Sequence, residues 1–323
     1  MTEYFRSEGD CMAKWTVKDI PSQVGSVAVV TGANSGIGWH TALELARAGG
    51  EVVMTARTAT KGQEAVERVR REVPQAKVRY EQLDLASLRS VREFAKRVAG
   101  GGKLDLLVNN AGVMRIPVRQ ETEDGFEMQM GTNFMGPFAL TLLLMPALLR
   151  SNAPRVTTVS SGAADMGLKR IRFEDMQWKQ GYKPWKAYCQ SKLADLMLMT
   201  ELGRRSEAAG KRVLSNAAHP GFARTNLQTS GPGREMNAVE SFLTPFMSHD
   251  AAHGALPTLQ AATDKNAAQG SYYAPKDFFH LKGDPVLIGL PKPARDGEAA
   301  RRLWDAAEEM TGVRWSDTML VTA

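Results

Sequence analysis

The chain has 323 residues, 43% hydrophobic and 24% charged, which suits one large α/β domain or two small ones. No run of 18 or more apolar residues appears, so no membrane span is expected. The polar stretch Met1 to Asp19 also lacks the apolar core of a signal peptide. The net charge of +6 raises the question of nucleic acid. The basic clusters at Arg68, Arg70 and Arg71, at Arg204 and Arg205, and at Lys211 and Arg212 fall on helices or at their ends, as solvated faces do, so no nucleic-acid partner is expected. Two cysteines, Cys11 and Cys189, give no disulfide framework and no metal spacing. A reducing cytoplasm is the simplest location.

Residues 1–24 read as a leader, loosely ordered up to Met12. Val27 to Val30 is an apolar strand. Thr31-Gly32-Ala33-Asn34-Ser35-Gly36-Ile37-Gly38 follows, then a helix to about Ala48, ended by Gly49-Gly50. Strand, glycine-rich turn and helix together are the opening of a dinucleotide-binding βαβ unit. Gly32 permits the sharp turn, Gly36 lets backbone approach a pyrophosphate, and Gly38 lets helix and strand pack closely. The helix N-terminus offers free N–H groups and a positive dipole end to the phosphates. Gly32, Asn34, Ser35, Gly36, Ile37 and Gly38 are therefore candidate cofactor contacts.

The second strand, Glu51 to Thr55, leads into Thr55-Ala56-Arg57-Thr58. An acid at this point would bind the ribose 2′-hydroxyl of NAD. Here there is none, and the guanidinium of Arg57 is suited to a 2′-phosphate. NADP(H) is expected in preference to NAD(H). A charged helix spans Lys61 to Glu72, and Val78 to Leu85 is the third strand. Ser87 caps a helix to about Val98. Leu104 to Val108 is a fourth strand, running into Asn109-Asn110-Ala111-Gly112. Residues 123–150 read as one long helix, bent near Gly136-Pro137 and carrying Asn133, a poor helix former that wants a reason. Arg155 to Ser160 is the fifth strand, Val213 to Ala218 the sixth, and Gly270 to Ala274 the last. Helices follow at Tyr188 to Leu202, Ala251 to Ala262 and Glu298 to Met310.

Strand and helix alternate, which implies a doubly wound parallel sheet of about seven strands with helices on both faces. We expect a single α/β domain of Rossmann type over residues 25–275 and a C-terminal extension over 276–323. Residues 223–248 are expected to be a lid containing Thr229-Ser230-Gly231-Pro232-Gly233. His249 and His253 lack a third ligand, and no metal is expected.

Tyr188 and Lys192 are four apart and share a helix face. Reducing a carbonyl by hydride transfer needs an acid, and a free phenol of pKa about 10 is poorly matched to neutral pH. A lysine charge about 4 Å away, at an effective dielectric near 20, is worth roughly 4 kcal/mol. That can lower the phenol by about three pH units. Tyr188 is thus a candidate general acid and base.

The order of Thr31-Gly-x-x-x-Gly-x-Gly, Asn109-Asn110-Ala111-Gly112, Ser160-Ser161 and Tyr188-x-x-x-Lys192 resembles the short-chain dehydrogenase/reductase family over about residues 25–275. The resemblance implies Asn133, Ser161, Tyr188 and Lys192 as the catalytic set. Asn133 would serve a water-borne proton relay and Lys192 would donate to the nicotinamide ribose. It places Asp84 and Leu85 at the adenine, Asn110, Ala111 and Gly112 at the ribose, and Pro220, Gly221 and Thr225 near the carboxamide. The second serine of the pair is preferred over Ser160 on the family pattern.

Ser161 and Tyr188 lie 27 positions apart, farther than in simple members. An insertion at about 163–185 fills the gap with Met166, Phe173, Trp178, Tyr182 and Trp185. This resembles the branch of retinol dehydrogenases, WW-domain-containing oxidoreductases and protochlorophyllide reductases, which act on bulky apolar molecules. A lipophilic carbonyl or alcohol substrate is therefore expected. Reduction of an activated C=C bond is the second enzymatic reading, and an NADP(H)-binding sensor without turnover is the third. A monomer and a homodimer are both compatible with the apolar helix after Tyr188.

Overall fold

A computed structural model of the chain describes residues 14–221 and 250–316. Eight strands form one sheet in the order β3-β2-β1-β4-β5-β6-β7-β8. They are β1 (Val27–Val30), β2 (Glu51–Ala56), β3 (Val78–Gln82), β4 (Leu106–Asn109), β5 (Arg155–Val159), β6 (Leu214–Ala218), β7 (Tyr272–Asp277) and β8 (Lys282–Ile288). The first seven are parallel, and β8 runs antiparallel to β7. The order reverses between β1 and β4, which opens a crevice at their carboxyl ends where this class of sheet binds ligands.

Side-chain alternation assigns each strand face to a different core. Val29, Val53 and Leu107 join one apolar cluster, whereas Ala28, Val30, Val52 and Val108 join the other. The helices divide accordingly. On one face lie α3 (Leu88–Gly100), α4 (Met128–Leu148), α5 (Pro184–Ala208) and α7 (Gly297–Thr311), contributing Phe94, Phe138, Leu196 and Trp304. On the other lie α1 (Gly36–Arg47), α2 (Ala59–Glu72) and α6 (Ala251–Thr263), contributing Trp39, Val66 and Leu259.

Several boundaries differ from the sequence reading. The sheet has eight strands, and it continues past residue 275. Lys282–Ile288, within the expected C-terminal extension, contains Gly283 and Pro285; as an edge strand it tolerates proline. Residues 276–316 therefore belong to the sheet and core, with Trp304 of α7 packed edge-on against Phe138 at 5.0 Å. Strand β3 ends at Gln82, before Asp84 and Leu85.

Helix α4 starts at Met128 rather than 123. Residues 122–126 form a reverse turn, with Gly125 at φ +81° and the Thr122 N–H bonded to the Phe126 carbonyl. Glu127 then caps the helix, accepting from the N–H groups of Gln129 and Met130. The bend expected near Gly136-Pro137 is a π-turn over Gly131–Met135, just before those residues. A Cβ on Gly136 would lie 2.3 Å from the Leu85 carbonyl oxygen, so glycine there lets the β3–α3 loop press onto α4. As a whole, Met128–Leu148 is long and apolar enough to cross a bilayer, yet 89% of its apolar window is buried inside this fold. It is the central helix of one core. Helix α5 begins at Pro184, a residue suited to a first turn because it has no N–H to leave unpaired. The expected lid at 223–248 lies outside the described residues.

Candidate active site

The glycine loop leaves β1 and closes against β2. The N–H of Ala33 donates to the Thr55 carbonyl at 2.9 Å, and that of Gly32 to Thr55 Oγ1 at 3.3 Å. Gly32 (φ +64°) and Gly36 (φ +56°) occupy the left-handed region. A Cβ on Gly38 would meet Asn110 Nδ2 at 2.4 Å and the Gly32 carbonyl at 2.6 Å. Ser35 precedes α1 but makes no side-chain capping bond, so the first N–H groups of α1 are left for an anion. Asn34, Ser35 and Ile37 are half-buried along the same turn. Arg57, exposed at the end of β2, makes no ion pair among the described residues. Its carbonyl accepts from Gln82 Nε2 at 3.1 Å. Glycines where side chains would collide, uncapped N–H groups and a free guanidinium together fit a dinucleotide.

Thr31 ties this loop to the end of β4. Its Oγ1 accepts the N–H groups of Asn110 and Ala111, each at 2.9 Å, while Asn110 Nδ2 donates to the Thr31 carbonyl at 2.8 Å. Asp84 folds its Oδ1 back onto the Ala86 N–H, and Leu85 is buried beneath it. Gly112 faces the catalytic candidates: a Cβ there would lie 3.1 Å from Asn133 Oδ1 and 3.7 Å from Lys192 Nζ. Asn133 sits in the π-turn. Its Oδ1 accepts the Val113 N–H at 2.7 Å, and its Nδ2 donates to the Val113 carbonyl and to Ser191 Oγ, both at 2.9 Å. At the other side, Gly221 (φ +71°) follows Pro220, and its N–H donates to His219 Nδ1 at 3.0 Å. Thr225 lies outside the described residues.

The two serines have different surroundings. Ser160 is buried, and its hydroxyl donates to the Lys192 carbonyl at 2.7 Å. Ser161 is half-buried, accepts weakly from the Ala163 N–H, and stands close enough to Tyr188 to pull its phenol down. Tyr188 itself is 4% exposed. Around it stand Met114, Ala163 and Cys189. The Trp185 ring lies 5.6 Å from the Tyr188 ring, with the Arg115 guanidinium 5.0 Å above Trp185. Gln190 fastens the 163–185 segment to α5, accepting from the Arg172 N–H and donating to the Met176 carbonyl.

A family model for short chain dehydrogenases matches residues 26–173. Mouse retinol dehydrogenase 13 is 41% identical over 313 residues, covering 94% of this chain and 87% of the relative. Mouse polyprenol dehydrogenase is 40% identical, covering 93% and 88%. The chain belongs to the short-chain dehydrogenase family. Within it, this protein falls in the retinol dehydrogenase-like branch, and it is an oxidoreductase. An uncharacterized protein of Mycobacterium paratuberculosis has a crystal structure that superposes with a TM-score of 0.77 at 40% identity, covering 94% of this chain and 99% of its own. A Beutenbergia cavernae protein described as an NAD(P)-dependent gluconate 5-dehydrogenase, solved with NADP at low occupancy, superposes with a TM-score of 0.58 at 25% identity, covering 75% and 91%.

In this short-chain dehydrogenase the lysine is not alone with the tyrosine. Lys192 Nζ donates to Asp195 Oδ2 at 2.8 Å and to the Val159 carbonyl at 3.0 Å. Asp195 was absent from the sequence-derived set. Burial pushes its carboxyl up to about 6, against the pull of Lys192. Burial also opposes the Lys192 charge, but Asp195 and Tyr188 outweigh it and hold the ammonium above its ordinary range. For Tyr188 the balance is the reverse of the sequence expectation. Burial raises the phenol, Lys192 and Ser161 only partly offset it, and Asp195 adds to the rise. Spacing conveyed the lysine charge; it could not convey the loss of solvent or the counterion. Cys189, also beside Tyr188, is pushed up to about 11 by burial and is a poor nucleophile.

Proposed function

We propose that this protein is an NADP(H)-dependent dehydrogenase/reductase that acts on the carbonyl or alcohol of a bulky apolar molecule. The observation that carries the reading is the meeting of Ser161, Tyr188 and Lys192 beside a glycine loop whose helix N-terminus is uncapped. When bound, the nicotinamide supplies or accepts the hydride. The chain's own residues do the rest. The glycine loop would hold the pyrophosphate, Arg57 the 2′-phosphate, and Lys192 the nicotinamide ribose. Ser161 fixes the substrate oxygen, and Tyr188 gives that oxygen a proton in reduction or takes it in oxidation. Burial keeps Tyr188 protonated at neutral pH, which favours the donor role.

An apolar substrate is supported by Met114 and Trp185 around Tyr188, the latter 36% exposed. It is also supported by the names of the two mouse relatives, which give retinol and polyprenol, both apolar alcohols. The test is to titrate NADPH and NADH into the wild type and Arg57→Ala, then to assay long-chain aldehydes with wild type and Tyr188→Phe. We expect NADPH affinity to fall about tenfold or more in Arg57→Ala, as losing a charge-assisted phosphate contact does, with NADH unchanged. Equal binding of both nucleotides, unaffected by the substitution, removes Arg57 from the site. Turnover by Tyr188→Phe at the wild-type rate overturns the acid/base role. Product analysis with an α,β-unsaturated aldehyde separates carbonyl from C=C reduction, and binding without any turnover favours a sensor.

A further inference from the structure

The acid beside Lys192 has no part in the mechanism just given. We propose that Asp195 is a positioning residue for proton transfer, holding the Lys192 ammonium beside Tyr188 and governing the pH at which the Tyr188–Lys192 pair releases a proton. This rests on the reading of that pair as the proton-handling groups.

The geometry is that of a built contact. The Lys192 and Asp195 side chains are 7% and 2% exposed, and their polar atoms lie 2.8 Å apart. An ammonium has three N–H donors. Two are fixed by Asp195 and the Val159 carbonyl, so the group is aimed rather than free to swing, and one N–H remains. Asp195 Oδ1 is buried with no hydrogen-bond partner, so this carboxylate has no competing anchor and serves Lys192 alone.

The charge count gives the consequence. With tyrosine neutral, lysine protonated and aspartate ionised, the trio has no net charge. Removing the aspartate charge leaves an uncompensated buried cation, and the first proton then leaves at lower pH, whether from the ammonium or the phenol. The form with both groups protonated is the one able to reduce a carbonyl, so its basic limit moves with that proton. Other titratable groups face the pair: Tyr272 of β7, raised by burial and by Asp195, Tyr188 and Asp165; Cys189 of α5, with Arg115 acting on it; and His219, whose ring lies beside Gly162. Lys192 hydrogen-bonds none of them.

The test compares wild type with Asp195→Asn, Asp195→Ser and Asp195→Glu. Tyrosine labelled at Cζ and lysine labelled at Cε report Tyr188 and Lys192 by NMR as pH rises, with no substrate needed. Signals are assigned from Tyr188→Phe and Lys192→Arg. In Asp195→Asn and Asp195→Ser, the earlier of the two signals should titrate about one pH unit lower, and the basic limb of kcat for reduction should move by the same amount. Asp195→Glu should restore wild-type behaviour. Asn keeps the shape of the side chain and Ser cannot overfill the site, so one uncharged variant suffices if the other does not fold. Unmoved signals in the uncharged variants, or an equal shift in Asp195→Glu, would overturn the proposal. Failure of the wild type to bind NADPH would instead overturn the cofactor reading, leaving the titration to be judged by itself.

Discussion

The hydroxyl of Ser160 donates to the backbone carbonyl of Lys192, pinning the end of β5 to the helix that carries Tyr188. Its neighbour Ser161 meets the Tyr188 side chain instead. We predict opposite phenotypes. Ser160→Ala should cost about 1 kcal/mol of stability, the worth of one buried hydrogen bond. Ser161→Ala should leave the melting temperature in place and lower kcat by roughly 100-fold, as loss of an oxygen-stabilising donor does. Thermal melts and steady-state NADPH oxidation check both, and a reversed pattern would give the substrate oxygen to Ser160.

Thr31 carries an unusual share of the local order. Its Oγ1 donates to the Val108 carbonyl and accepts two backbone N–H groups. Thr31→Val strands both donors, so a loss of about 2–4 kcal/mol is expected in urea unfolding. Thr31→Ser keeps the oxygen and should lose far less. Equal losses would mean that the methyl group, not the hydroxyl, matters.

Asp105 gives a pH-dependent prediction. Burial raises its carboxyl, but bonds from Ser151, the Val27 N–H and Lys103 outweigh burial and hold it below the ordinary range. A group whose folded value is depressed stabilises the fold above its unfolded value and loses that contribution as pH falls through the folded one. Asp105→Asn should therefore be less stable than wild type by about 1–3 kcal/mol at neutral pH. The gap should close as pH drops below about 4. Urea midpoints across that range measure it, and a constant gap would contradict the assignment.

Trp185 tests the substrate class. Its ring flanks Tyr188 and is itself covered by Arg115. Trp185→Ala should lower kcat/KM for a bulky apolar carbonyl about tenfold through KM, the scale of one lost aromatic contact, and leave a short-chain carbonyl nearly unchanged. Equal losses for both would mean that Trp185 orients Tyr188 rather than binding substrate.

Much of this was readable before any coordinates. Glycines with a single physical use marked the loop, and apolar runs with clear breaks marked β1, β2 and β4. Where the pattern carried no contrast, reading was harder. Helix α4 is buried on nearly every side, so periodicity did not mark its start, and nothing in Gly131–Met135 announces a π-turn. Strand β8 was hidden by Gly283 and Pro285, which read as loop residues until the edge position accounts for them. Asp195 was missed because a charged residue three positions after a lysine ordinarily signals a solvated helix face. Only the packing of α5 against β5 and β6 turns it inward.

The margins of the sheet have a consequence for behaviour in solution. At one border, Arg79 and Glu81 of β3 are engaged with Glu51 and Arg97. At the other, β8 carries Lys282 and Pro285, the latter with no N–H to offer a newcomer. A chain seeking to add itself strand to strand would meet ionic side chains at one end and a broken row of donors at the other. Pro285, which helped to obscure β8 in the sequence, thus also makes that border a poor template for a further strand.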